Sequence, residues 1–83
     1  MITVLFFAKY REQLGTSRMT LDLTSATTVS ALKKRLVERG GDDWAAVLFA
    51  DNTLCAVNQN VASPAEPIAD GDEVAFYPPV TGG

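Results

Sequence analysis

The hydrophobic positions change period along the chain, and each change marks an element. Over residues 2–7, Ile2, Val4 and Phe6 share one side of an extended backbone and Leu5 and Phe7 the other. This predicts a strand with bulky apolar groups on both faces, suited to the interior of a sheet. Residues 8–14 switch to good helix formers and stop at Gly15, which predicts a short helix closed by glycine. Residues 17–23 alternate again, with Met19, Leu21 and Leu23 opposite Arg18, Thr20 and Asp22, so a second strand follows and pairs with the first as an antiparallel hairpin.

The period then becomes helical. Val29, Leu32, Leu36 and Val37 recur with Lys33, Lys34, Arg35 and Glu38 between them, behind a cap at Thr27 or Thr28 and ahead of Gly40-Gly41. This is the main helix. A short helix over residues 42–48, capped by Asp42 or Asp43, turns Trp44 and Val47 inward, and residues 54–58 read as a third strand. Residues 61–67, punctuated by Pro64 and Pro67, read as a loop. Asp70-Gly71-Asp72 forms a turn into the last strand, residues 73–77, with Val74 and Phe76 on one side and Ala75 and Tyr77 on the other.

Pro78-Pro79 cannot donate to a ladder, so pairing ends there and the chain leaves the sheet extended. Residues 1–79 are thus expected to form one domain, and Val80, Thr81, Gly82 and Gly83 a free tail. Four extended residues span roughly 13 Å, which carries the terminal carboxylate well clear of the domain. Glycines without side chains can thread a slot where any Cβ would collide, although a glycine-rich end is also what plain fraying leaves. Strands around one main helix, without helix-per-strand alternation, give an α+β fold with a mixed sheet covered by helix on one face. The ubiquitin-like β-grasp satisfies that description.

With 83 residues, the chain is near the small end of what folds alone, and chains of this size bury only about 60% of their unfolded surface. At 47% hydrophobic and 20% charged residues, it holds enough apolar material for one core and too little charge for a disordered segment. A net charge of −3 with dispersed Lys and Arg argues against nucleic acid as a partner. No run reaches membrane-spanning length, and the apolar start lacks the basic lead of a signal peptide, so a cytoplasmic location is expected.

The chemical inventory is mostly negative. There is no histidine, hence no imidazole base, triad or imidazole metal ligand. Cys55 is the only cysteine, so neither an intramolecular disulfide nor a zinc-binding cysteine pair can form, and its neighbours Leu54, Ala56 and Val57 mark it as a core residue. Asp42-Asp43 and the group Asp70, Asp72 and Glu73 sit at turn or cap positions, where acids serve local hydrogen bonds. No phosphate-binding loop is present, because Gly40-Gly41 leads into two acids. No metal or bound cofactor is therefore expected. If the terminal carboxylate reacts, a partner must activate it, since an ionised carboxylate is a poor electrophile.

Strand parity adds one candidate surface. Phe7 and Tyr77 lie on the first and last strands, on the side opposite Phe6 and Phe76. They either form an exposed docking pair beside the tail, extended by Val61, or pack under the short helix and loops.

The block Gly71-Asp72-Glu73-Val74 through Pro78-Pro79-Val80-Thr81-Gly82-Gly83, with Val4-Leu5-Phe6-Phe7-Ala8, Arg11-Glu12, Gly15 and Ala56-Val57-Asn58-Gln59, resembles the small subunit of molybdopterin synthase, a ubiquitin-like sulfur carrier. The likeness covers nearly the whole chain and is weakest from Arg39 to Thr53. It implies that Gly83 is adenylated by an ATP-using partner related to ubiquitin-activating enzymes, and that a sulfur-donating enzyme then converts it to a thiocarboxylate. It further implies that Val80, Thr81 and Gly82 thread into the large synthase subunit, where sulfur passes to cyclic pyranopterin monophosphate. Two deliveries would build the dithiolene, in an assembly of two small and two large subunits. Phe7, Val61 and Tyr77, with Pro78 and Pro79, match partner-binding positions, and phenylalanine or leucine is also found where Tyr77 and Val61 stand. A carrier for thiamine or another thio-compound would share this tail chemistry, and a ubiquitin-like modifier or interaction domain would share the fold.

Overall fold

The computed structural model describes residues 1–22 and 28–79. The expectations for Leu23, for Thr27 and for the tail, residues 80–83, lie outside the described residues. Along the chain run β1 (Ile2–Phe6), α1 (Lys9–Leu14), β2 (Arg18–Leu21), α2 (Val29–Gly40), α3 (Asp42–Leu48), β3 (Leu54–Val57), β4 (Asn60–Val61) and β5 (Glu73–Tyr77).

The hairpin expected at the start is present, with β1 and β2 antiparallel from Leu5 opposite Arg18 to Ile2 opposite Leu21. Gly15, at φ 72, closes α1 by donating its N–H to the Arg11 carbonyl, 3.0 Å away. The last strand then inserts between earlier ones. β5 pairs parallel with β1 and antiparallel with β3, giving the order β2-β1-β5-β3-β4. This mixed sheet with α2 laid on one face is the β-grasp arrangement.

The period-two pattern decides what the sheet buries. Ile2, Val4, Phe6, Val74 and Phe76 all point to the helix side and are fully buried against Val29, Leu32 and Leu36 of α2. Each such side chain contributes roughly 1.5–3 kcal/mol by leaving water. Thr28 is the α2 cap, its hydroxyl accepting the Ala31 N–H at 3.1 Å. The loop after β4 satisfies two more first-turn donors: Val29 N–H reaches the Glu66 carbonyl at 3.0 Å and Ser30 N–H the Pro64 carbonyl at 2.9 Å.

Three local expectations are corrected. Gly41, not Asp42 or Asp43, caps α3, and no side-chain cap bond forms there. At φ 83 Gly41 both ends α2, donating to Val37, and starts α3, accepting from Trp44 and Ala45. That sharp reversal needs a positive φ, so glycine takes the cap and the two acids fall inside the first turn, near the positive end of the helix. Residue 61 is not in a loop but in β4, behind a two-residue turn in which Asn58 and Gln59 have φ 50 and φ 70. Positive φ at both central positions matches the twist of a tight hairpin, and it takes Asn58 out of β3.

Gly40 has a packing role that helix termination does not explain. A Cβ there would lie 2.2 Å from Cγ of Trp44, whose indole meets Phe6 edge-on at 5.3 Å, while Phe6 stacks on Phe76 at 6.0 Å. In an ordinary helix Gly→Ala stabilises by about 1 kcal/mol. Here the indole must leave its place, and we expect Gly40→Ala to destabilise by roughly 1–3 kcal/mol. Thermal unfolding followed by circular dichroism checks this, and a raised midpoint would show that the indole relocates without cost.

Candidate functional site: the docking face beside the chain end

On the side of the sheet away from α2, strand register sets the side chains in rows. Leu5 pairs with Ala75, Ala75 with Ala56, and Ala56 with Val61, so these four make one row across β1, β5, β3 and β4. The next row toward the end of β5 is Phe7, Tyr77 and Leu54, because Phe6 pairs with Phe76 and Tyr77 with Leu54. With strands about 4.8 Å apart, this second row spans roughly 10 Å. The opposite end of the same face is polar, with Thr3 paired to both Thr20 and Glu73. The outer face is thus apolar only toward the end at which the chain runs on to Gly82-Gly83.

Exposure follows the same division. Phe7 is 46% exposed, Leu54 38% and Val61 81%, while Tyr77 is half-buried between its neighbours. Ala56 and Ala75 are buried because their short side chains sit below the larger ones around them. Phe7 is therefore exposed and not packed under α1. The backbone beside it is strained: Ala8 has φ 55 and ψ −133, a conformation that residues with a Cβ rarely adopt. Phe7 itself is held at both ends, its N–H bonded to the Phe76 carbonyl and its carbonyl to the Tyr10 N–H, each at 3.2 Å.

Pro78 and Pro79 continue directly from Tyr77 and are half-buried. Val80, Thr81, Gly82 and Gly83 lie outside the described residues. Leu54 and Leu5 were not among the residues anticipated for this surface. The run Leu54-Cys55-Ala56-Val57 is apolar at every position, so its alternation does not reveal which side faces outward until β3 is registered against β5.

Elsewhere the described residues assemble no catalytic machinery. Shallow clefts of about 390 and 430 Å³ flank the helices. The titratable groups of the first are Lys9, Tyr10 and Asp43, and those of the second Lys33, Asp51 and Cys55. Burial pushes the Cys55 thiol up to about 11, against the nearby Lys33 charge, so it is protonated and inert at neutral pH. No group of three or more potential metal ligands occurs among the described residues.

The acids around the last turn have local work. Asp72 accepts from the Asn58 amide at 3.0 Å and from the Ala69 N–H at 2.7 Å, and these bonds, Asn58 first, hold its carboxyl below the usual range. Asn58 in turn accepts from the Glu73 N–H at 3.0 Å. Asp70 pairs with the Met1 ammonium. Together these contacts fix where β5 begins. Among the described residues, no helix is long and apolar enough to cross a membrane.

Residues 4–83 match the ThiS family, which is nearly the whole chain. The chain belongs to that family. Along its full length, and that of the relative, this ThiS-family protein is 47% identical over 83 residues to the molybdopterin synthase sulfur carrier subunit of Escherichia coli (strain K12). The crystal structure of SAMP1 from Haloferax volcanii superposes with a TM-score of 0.79 at 27% identity, covering 99% of this chain and 98% of that one. In a complex of subunits 1 and 2 of the molybdopterin-converting factor from Helicobacter pylori 26695, the matching chain gives a TM-score of 0.64 at 25% identity, with 99% and 97% covered. The ThiS-family β-grasp therefore extends over essentially every element from β1 to β5.

Proposed function

We propose that this protein is the sulfur carrier subunit of molybdopterin synthase, with Gly83 as the loaded end and the apolar end of the outer sheet face as its docking surface. The observation that carries the reading is the placement of that face: its exposed apolar row sits where β5 hands the chain on to Pro78-Pro79 and the terminal glycines. A partner that grips Phe7, Leu54, Val61 and Tyr77 receives the tail in a fixed direction. The full-length likeness to the E. coli carrier subunit supports the same assignment.

In this reading residues 1–79 are the handle and residues 80–83 the working end. An ATP-using partner adenylates the Gly83 carboxylate, which turns a poor electrophile into an acyl group with a good leaving group. A sulfur-donating enzyme then converts the acyl-adenylate to a thiocarboxylate. Val80, Thr81 and Gly82 carry that end into the large synthase subunit, the glycines passing where a side chain would collide. There sulfur passes to cyclic pyranopterin monophosphate, and two deliveries complete the dithiolene of molybdopterin. The assembly holds two small and two large subunits and works in the cytoplasm. In this reading the chain contributes a reactive end and a means of aiming it, and its partners carry out the catalysis.

Mass spectrometry tests the assignment. After coexpression with the adenylating enzyme and a sulfur source, the intact protein is expected to exchange one oxygen for sulfur, with the change located at Gly83 by fragmentation. A chain that never gains sulfur under these conditions, or one recovered only as isopeptide adducts on lysines, would overturn it. Copurification with a large synthase subunit separates this role from that of a carrier for another thio-compound.

A further inference from the structure

We infer that the Tyr77 hydroxyl is the polar anchor of the docking face, donating a hydrogen bond to an oxygen acceptor on the large subunit inside an otherwise apolar contact. The inference rests on the docking role proposed above and adds to it a residue that sets partner specificity. Tyr77 occupies the middle of the outermost row, with Phe7 on its β1 side and Leu54 on its β3 side. The neighbouring row adds the apolar Leu5, Ala75, Ala56 and Val61, with Arg18 of β2 at its far edge beside Leu5. Any partner seated on Phe7 and Leu54 at once must cover the ring between them.

Across β1, β5, β3 and β4 the ring carries the one side-chain hydrogen-bonding group in these two rows, Arg18 lying beyond Leu5 on β2. Its hydroxyl has no hydrogen-bond partner among the described residues, whereas the buried tyrosine, Tyr10, is bonded through its hydroxyl to Thr53 at 2.8 Å. In the free protein this is harmless, because water serves the half-buried Tyr77 group. Under a partner, water is lost, and a phenol left unpaired in an apolar contact is penalised. A cognate large subunit must therefore place an acceptor over Tyr77. A large subunit shaped for phenylalanine at this position lacks that acceptor and binds this carrier less well. Tyrosine at the centre of a contact, ringed by apolar groups that exclude water, is also the arrangement in which a single residue weighs most.

The test compares the full-length carrier with its Tyr77→Phe and Phe7→Ala variants in binding to the large subunit from the same source, measured by calorimetry at low and high salt. Tyr77→Phe is expected to weaken binding about tenfold, with no change in the thermal midpoint of the free protein, since the removed hydroxyl has no partner among the described residues. A tenfold loss that shrinks at high salt marks a carboxylate acceptor, and one that persists marks a carbonyl; either supports the inference. Unchanged affinity for Tyr77→Phe alongside weakened Phe7→Ala overturns it while leaving the docking role standing. Unchanged affinity for both variants removes the docking role itself.

Discussion

Deleting Gly83 is expected to abolish sulfur transfer while the domain melts at an unchanged temperature. The deletion leaves Gly82 with a carboxylate of the same chemistry, so reactivity alone does not distinguish the two proteins; position does. One residue of extended chain is about 3.3–3.6 Å, and displacing a reacting group by about 1 Å can cost on the order of 100-fold in rate. A carboxylate drawn back by a whole residue therefore misses both the adenylating site and the acceptor site, and the loss exceeds 100-fold at each step by the same reasoning. Stability should not follow, because the buried residues described in the core end at Phe76 and the last ladder pair at Tyr77. Intact-mass measurement of loading, molybdopterin yield in the reconstituted synthase and thermal unfolding give the three readouts. Wild-type transfer by the shortened chain would sink the proposed chemistry.

Phe7→Ala should give the second large effect, in binding and not in folding. Phe7 is 46% exposed, so its truncation should cost the fold less than about 1 kcal/mol. In the proposed complex it would serve as an aromatic anchor, and truncating such a residue costs about 2–4 kcal/mol, or roughly 30- to 1,000-fold in affinity. Alanine also leaves the strained Ala8 backbone in place, so the variant isolates the ring from the conformation that presents it. Calorimetric titration with the large subunit, alongside thermal unfolding of the free variant, separates the two contributions. An affinity within threefold of wild type would show that the apolar end of the sheet is not where the partner sits.

Both effects concern residues that could be named from the sequence, and the reason is physical. The alternation in residues 2–7 and 73–77 is strong enough to put Phe7 and Tyr77 opposite Phe6 and Phe76 before any pairing is known. The main helix, its threonine cap at one of two adjacent positions and its glycine stop are equally local. What stayed hidden depends on contacts between distant segments. β4 has two residues and therefore no period. Leu54 joins the docking row only through its register with Tyr77. Gly40 reads as a helix stop, and its tight approach to Trp44 exists only once α3 folds back. Asp42 and Asp43 carry a cap signal that Gly41 overrides because the reversal between helices needs its φ. The chemistry of the terminal glycines, by contrast, came from resemblance, since a bare Gly-Gly end is equally consistent with fraying.

The central place of β5 has a bearing on how the protein is made. The strand flanked by β1 on one side and β3 on the other is the last of the described strands in chain order, so synthesis completes it after both its neighbours. Until Val74 and Phe76 arrive, Phe6 and Cys55 have no strand between them, and the long-range pairing that closes the sheet cannot form. The sheet therefore cannot close until β5 has been made, and a chain cut short before residue 77 lacks part of the strand that joins its two halves. Cells would clear such fragments as unfolded polypeptide.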